Sequence, residues 1–278
     1  MFLAVDVGNT QTTLGLFDER GCVARQWRMA TDATDTSDEL HERLYGYFQM
    51  LGLALDSVTD VAVASVVPVL SREWQQMTRA ILGTDPMMVS ATRDCGIRAD
   101  LPNPNEVGAD RIANALAARE TYGSPVIVVD FGTATNIDVV DAHGNFRGGA
   151  IMPGLMLSAN SLFSRAAKLA SVPLVVPPHT LGDTTERAVQ SGIVVGAAAQ
   201  AEGLVARIQR ELARETAAEK GLEAEDVAPA TVVSTGGLAG TIAEATNLFD
   251  AIDSDLTIRG IHQIWLHRTL GHGQRDGA

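Results

Sequence analysis

Lysine is nearly absent from this chain: Lys168 and Lys220 are the only two among 278 residues, and arginine carries the rest of the positive charge. No G-x-x-x-x-G-K-[ST] occurs, so a Walker P-loop, whose lysine reaches the β- and γ-phosphates, is excluded. The formal net charge of −13 argues against a nucleic-acid backbone as partner. It also repels any anionic substrate, which would then need a bound cation or a locally positive pocket. Cysteine is equally scarce. Cys22 and Cys95 cannot build a metal cluster by themselves, and their number fits a reducing compartment better than a disulfide framework. No stretch approaches the run of roughly 20 apolar residues that a membrane helix needs. No basic segment precedes the first apolar residues and Asp6 interrupts them, so no signal peptide is expected and the expected location is cytoplasmic. His262, His267 and His272 recur every five residues, which misses the i, i+4 geometry of a helical zinc pair and predicts surface positions. No G-x-S-x-G elbow occurs, and the near match to a dinucleotide glycine pattern, GHGQRDG at 271–277, follows no strand.

What is present points to two domains or one large one, with 46% hydrophobic residues for the core. The organising stretch is VIVVDFGTATNIDVVDAHGNFRGG, residues 126–149. A buried strand ends in Asp130, a Gly-Thr turn follows, and Asn136 to Val140 resumes an extended pattern. Residues 2–17, FLAVDVGNTQTTLGLF, repeat the plan with Asp6 and Gly8-Asn9-Thr10. Either hairpin alone is ordinary; two, about half the chain apart, read as an internal duplication. Glycine in such a turn lets backbone N–H groups cradle an anion, and a strand-end carboxylate can hold a cation against it. A third glycine turn lies in ATVVSTGGLAGTIAEA, residues 230–245, between a strand and a helix, where N–H groups can face a nucleotide.

Between these turns the pattern is that of an α/β protein with mixed sheets. Residues 22–29 predict a third strand, and Leu40, Leu44, Tyr47, Phe48 and Leu51 predict a helix from about Ser37 to Gly52. A buried strand over 60–68 is expected to stop at Pro68, with a helix over 69–82 and a short strand over 87–91. Residues 92–105 read as irregular. EVGADRIANALAARE, residues 106–120, predicts a small-residue helix able to pack closely, with Asp110 and Arg111 in its first turn. An Asp there is also what a helix N-terminus favours for structural reasons alone. Helices are expected over 155–169 and over most of 184–218. Gly192, Gly196 and Gly203 interrupt the latter and read as points of close helix–helix approach. The last dozen residues read as a helix end and a polar tail.

Three glycine turns, at 8–10, 132–135 and 235–240, each behind a strand, resemble the superfamily of actin-like ATPases, sugar kinases and acetate kinases. That resemblance implies two duplicated actin-like (ribonuclease H-like) domains with mixed sheets, 1–118 and 119–278, clamping a nucleotide between them, with the last helix able to pack back on the first. The blocks AVDVGNTQTTLGLF, SVVP, EVGADRIANALAA, VVDFGTATNID, GGAIMPGL, SRAAKL, QSGIVVG and STGGLA, in that order over residues 2 to about 265, resemble the type III pantothenate kinase family. Its members are also grouped as Bvg accessory factors.

The resemblance implies ATP-dependent phosphorylation of pantothenate, the first step toward coenzyme A, with Mg²⁺ and a monovalent cation, K⁺ or NH₄⁺. It places Asp110 as general base and Gly108, Ala109, Arg111, Leu101 and Thr185 at pantothenate. Asp6, Val7, Gly8, Asn9, Thr10, Gln11, Thr12, Thr13 and Thr133 fall on the ATP-binding turns, and Asp130 on the monovalent-cation site. It also implies a homodimer built through the second domain, with neither nucleic acid nor membrane as partner. Three positions depart from the family pattern: Leu101 for a frequent tyrosine, Asn136 for a threonine, and Lys168-Leu169-Ala170 for KLP. A kinase of another small alcohol and a regulatory paralogue that has lost activity are the competing expectations.

Overall fold

The computed structural model describes residues 1–91, 94–166 and 169–273. They form two compact units, the first comprising residues 1–117 and the C-terminal segment from Asp255, the second residues 118–254.

In the first unit β1 (Phe2–Val7), β2 (Gln11–Phe17) and β3 (Val23–Ala30) form an antiparallel meander. β4 (Asp60–Ser65) and the short β5 (Met87–Met88) add in parallel, giving the order β3-β2-β1-β4-β5. Alternation along β1 sends Leu3, Val5 and Val7 to one face. That face is covered by Leu40, Leu44 and Phe48 of α1 (Ser37–Met50) and by Leu70, Trp74 and Met77 of α2 (Pro68–Leu82). A capping box starts α1: Thr36 accepts from the Glu39 backbone N–H, and the Glu39 carboxylate accepts from that of Thr36 at 2.9 Å. Pro68, expected to end a strand, opens α2 at its first turn, where a missing N–H costs no hydrogen bond. β4 therefore stops at Ser65, earlier than expected. The predicted strand over 87–91 shrinks to two residues. Thr92 and Arg93 of the irregular stretch lie outside the described residues. α3 (Ala109–Tyr122) starts three residues later than predicted.

The second unit repeats the plan. β6 (Val126–Phe131), β7 (Ala134–Val140), β8 (Phe146–Pro153), β9 (Thr231–Thr235) and β10 (Ala251–Ile252) take the order β8-β7-β6-β9-β10, with the same strand directions. The duplication reaches single residues. Asp6 pairs with Thr13 and Asp130 with Asn136, and a bulge lies between Leu16 and Phe17 in one meander, between Val139 and Val140 in the other. α4 (Leu155–Arg165) ends before the expected Leu169; Lys168 of the KLP-like position lies outside the described residues. α5 (Thr185–Gln190) continues through a π-helical turn, Ser191–Val195, into α6 (Gly196–Lys220).

This continuous run is long and apolar enough, by length and composition, to cross a membrane, and about a third of its apolar window is buried. Its apolar stripe, Val194, Ala198, Ala201 and Val205, packs with Ile127, Val129 and Phe131 in the second core. Within the chain, Gly192 and Gly203 mark no close helix approach: a side chain there would meet nothing within 4 Å, and Gly196 faces only the Ser191 carbonyl. α7 (Ala239–Ala243) is a single short turn.

α8 (Leu256–Gly273) is the last helix, which the sequence reading bounded only as a helix end before a polar tail; residues 274–278 lie outside the described set. It belongs to the first unit, where it lies on β1 and β2. Gly15 of β2 has no side chain, and Ile258 fills the space that a Cβ would take. His262, expected at the surface, is buried, stacked on Phe17 at 4.2 Å and beside Phe2 at 4.9 Å. His267 is exposed, as expected. α8 also receives α3: the Ala113 backbone abuts Gly260, and Thr257 donates to the buried Asn114 at 2.7 Å. The alanines of α3 thus do permit close packing, here against the last helix.

Candidate active site

The first unit presents a turn at the end of β1. Asp6 is half-buried at the strand end, and Gly8 donates its N–H to the Gln11 carbonyl at 3.1 Å, which closes the turn. Asn9, Thr10 and Gln11 are exposed and Thr13 is half-buried, so polar groups surround backbone that an anion can reach. Val7 and Thr12 are the two whose side chains are wholly buried, Val7 in the core and Thr12 sharing a 2.9 Å hydrogen bond with Thr31. The Thr31 N–H then donates to the Thr10 carbonyl at 3.0 Å and pins the turn from the next strand.

Asp110 stands at the start of α3 in the same unit. Its Oδ1 accepts from the Arg111 N–H at 2.9 Å. The carboxyl is nevertheless pushed above the ordinary aspartate range. Burial is the main cause, and the backbone hydrogen bond and charge of Arg111 offset only part of it. Measured over the whole residue Asp110 is half-exposed, but its carboxyl is the densely surrounded end. Gly108 lies two residues before it, and Val66, beside Gly108, donates its N–H to the Val7 carbonyl at 3.0 Å. Val66 thus ties the end of β1 to the start of α3. Leu101 is half-buried on the irregular approach to this helix.

In the second unit the corresponding turn follows β6. Asp130 is half-buried, Thr133 is exposed, and Gly132 donates to the Ala134 carbonyl at 3.0 Å. Gly154 donates to the Thr133 carbonyl at 3.2 Å, the counterpart of Thr31 and Thr10. Leu238 donates to the Phe131 carbonyl at 3.3 Å, as Val66 does to Val7. Here the third turn carries Gly236, at φ +92°, pressed against the Asp130 carboxylate and the Phe131 backbone so that no side chain fits. Sequence alone marked the turn as glycine-rich; that it buttresses Asp130 emerges only from the fold. Thr185 opens α5 and is exposed, while Thr184 caps the helix by accepting from the Arg187 N–H at 3.2 Å. Thr185 lines an open groove of about 460 Å³ with Leu162, Leu169, Val189 and Ile193.

Among the described residues no three His, Cys, Asp or Glu side chains cluster as a metal cage. A Mg²⁺ held chiefly by substrate phosphates with one or two carboxylates needs none.

Two β3-β2-β1-β4-β5 sheets, each with a strand-end aspartate before a glycine turn, define the actin-like ATPase and sugar-kinase fold. Solved structures agree at the level of fold: a Baf family protein of Campylobacter jejuni superposes with TM-score 0.56 at 16% identity, covering 96% of this chain and 98% of the other. A 2-dehydro-3-deoxygalactonokinase-type protein of Sinorhizobium meliloti gives 0.51 at 14%, covering 95% and 96%. The chain belongs to the type III pantothenate kinase family, whose profile matches residues 2–207. It is 41% identical over 273 residues to the type III pantothenate kinase of Thermomicrobium roseum, covering 98% of this chain and all of the relative. Against that of Moorella thermoacetica it is 40% identical over 271 residues, covering 97% and 100%.

Proposed function

We propose that this protein transfers the γ-phosphoryl group of ATP to the primary hydroxyl of pantothenate, the first committed step toward coenzyme A. The observation that carries this reading is Asp110: a carboxyl raised by burial, at a helix start, in the GADR block of a chain that belongs to this family. Phosphoryl transfer asks a protein mainly for position and charge neutralisation, and only one proton has to be taken. A carboxyl of raised pKa is, once ionised, a better acceptor for that proton than an ordinary carboxylate.

Each residue has a role in this proposal. Asp110 takes the hydroxyl proton, Arg111 meets the pantothenate carboxylate, and Ala109, Leu101 and Thr185 complete the substrate contacts. The exposed turn Gly8–Gln11, with Asp6 and Thr13, and the turn at Thr133 bind phosphate oxygens through backbone N–H and hydroxyl groups. Asp130 holds a monovalent cation, K⁺ or NH₄⁺. When bound, Mg²⁺ and the monovalent ion neutralise developing phosphate charge in a chain with almost no lysine to do so. The protein acts in the cytoplasm as a homodimer. Exposed Met156, Leu157 and Ile151 supply an apolar surface on the second unit, and Gly192 and Gly203 leave its long helix open to close approach.

Purified protein incubated with ATP, Mg²⁺, K⁺ and pantothenate should yield 4'-phosphopantothenate. No product from pantothenate but product from another small alcohol would move the assignment to that alcohol. No product from any would leave a regulatory paralogue.

A further inference from the structure

Gly108 carries no chemistry of its own, yet its surroundings give it a task. A Cβ at position 108 would lie 2.5 Å from Asp110 Oδ1, closer than side-chain carbons approach any neighbour, while the next nearest group, Val66 Cγ1, would be at an ordinary 3.6 Å. The backbone there is not in the left-handed region reserved for glycine. Alanine is therefore acceptable to the main chain and conflicts closely with a single group, the carboxyl of Asp110. The same oxygen, Oδ1, is held in place by the Arg111 N–H at 2.9 Å.

We infer that Gly108 is a positioning residue for the general base: its missing side chain is the space that the Asp110 carboxyl occupies. This rests on the kinase reading above but assigns Gly108 an action through Asp110 and not a contact with substrate. Any side chain at 108 swings the carboxyl off its hydrogen bond and toward solvent. A displacement of about 1 Å in a reacting group can cost on the order of 10²-fold in rate.

The test is Gly108→Ala, compared with Asp110→Asn and with the double variant. Gly108→Ala should lower kcat by roughly 10- to 100-fold with KM for pantothenate and ATP changed less than about twofold. The double variant should be no slower than Asp110→Asn alone, since Gly108 then has no base to place. Carboxyl-carbon NMR titration gives a readout free of activity: the Asp110 signal should titrate lower in Gly108→Ala than in the parent, because the displaced carboxyl regains solvent. A raised KM at unchanged kcat, additive losses in the double variant, or an unmoved titration would each overturn the inference. So would a Gly108→Ala chain that fails to fold, since the predicted conflict is local. A parent chain that does not phosphorylate pantothenate would refute the kinase reading, and the titration would still decide the role of Gly108.

Discussion

Replacing Asp110 with asparagine separates two accounts of that residue by the sign of a stability change as well as by a rate. If Asp110 merely favours a helix N-terminus, its charge stabilises α3, and Asp110→Asn should cost up to about 1 kcal/mol at neutral pH. The structure argues for the opposite. Burial raises the folded-state pKa above its unfolded value, so the folded chain binds the proton more tightly. Stability from this group is then fully present at low pH and is lost as pH rises from the unfolded value through the raised one. Asparagine stays neutral and escapes that loss, so the variant should be at least as stable as the parent at pH 7. Its stability relative to the parent should increase from pH 4 upward. Turnover should meanwhile fall by roughly 10²–10⁴-fold, the usual worth of a positioned proton acceptor, or about 3–5 kcal/mol of barrier. Thermal melts across pH 4–8, ATP affinity and initial rates on the same preparations provide the measurements. A variant that melts lower at pH 7 and keeps near-parent turnover would refute both the burial argument and the base assignment.

Other expectations follow from the same geometry. Exchanging K⁺ for Na⁺ should cut turnover sharply, and Asp130→Asn should abolish the difference between the two ions; equal rates in both salts for the parent would remove the cation from Asp130. His262, stacked among Phe2, Phe17 and Trp265, is held below the usual histidine pKa by burial. The unfolded chain therefore takes up the proton first, and stability should be lost as pH falls through about 6.5 toward the lower folded value. In His262→Phe that acid loss should flatten in the melting curve, and an unchanged curve would show that His262 does not contribute to it. Leu157→Arg, on the exposed apolar surface of α4, should shift sedimentation from dimer toward monomer, whereas a monomeric parent at micromolar concentration would end the dimer proposal.

The strand pattern was legible in the sequence because its signals are local. FLAVDVG and VIVVDFG each put four apolar residues, an aspartate and a turn glycine in register, and both recur as β-hairpins with the aspartate fifth in its strand. α1 was legible from the apolar spacing of Leu40, Leu44, Tyr47, Phe48 and Leu51 after Ser37. α8 was not. Its apolar residues Leu256, Ile258, Ile261 and Ile264 are interspersed with histidine, tryptophan and arginine, and it is buried on more than one side, against Gly15 of β2 and Ala113 of α3. Such a helix has no single apolar stripe to read. The histidines misled for the same reason: His262 looks polar in sequence, but its ring is an aromatic surface in a cluster that only the fold assembles. At the site, residue types were legible and their mutual support was not. Nothing in the letters GADR says that Gly108 leaves the space for Asp110, or that Gly236, more than a hundred residues on, presses against Asp130.

The duplication also bears on why the proposed base stands in only one half. α3 follows β5 as α8 follows β10, so the two helices are counterparts. In α3 the second residue is Asp110; in α8 it is Thr257, and its hydroxyl is committed to Asn114 of α3. The turns after the parallel strands diverge in the complementary sense. Ser65-Val66-Val67-Pro68 closes the first with an apolar side chain beside Gly108, while Thr235-Gly236-Gly237-Leu238 leaves the second as nearly bare backbone beside Asp130. The hydrogen bonds that hold the two frames are the same, Val66 to Val7 in one and Leu238 to Phe131 in the other. Divergence has therefore been confined to what each frame presents. An ancestral repeat with an aspartate and a glycine turn could bind an anion twice. Proton abstraction needs a buried carboxyl in one copy only, and stripped backbone suits a large ligand in the other.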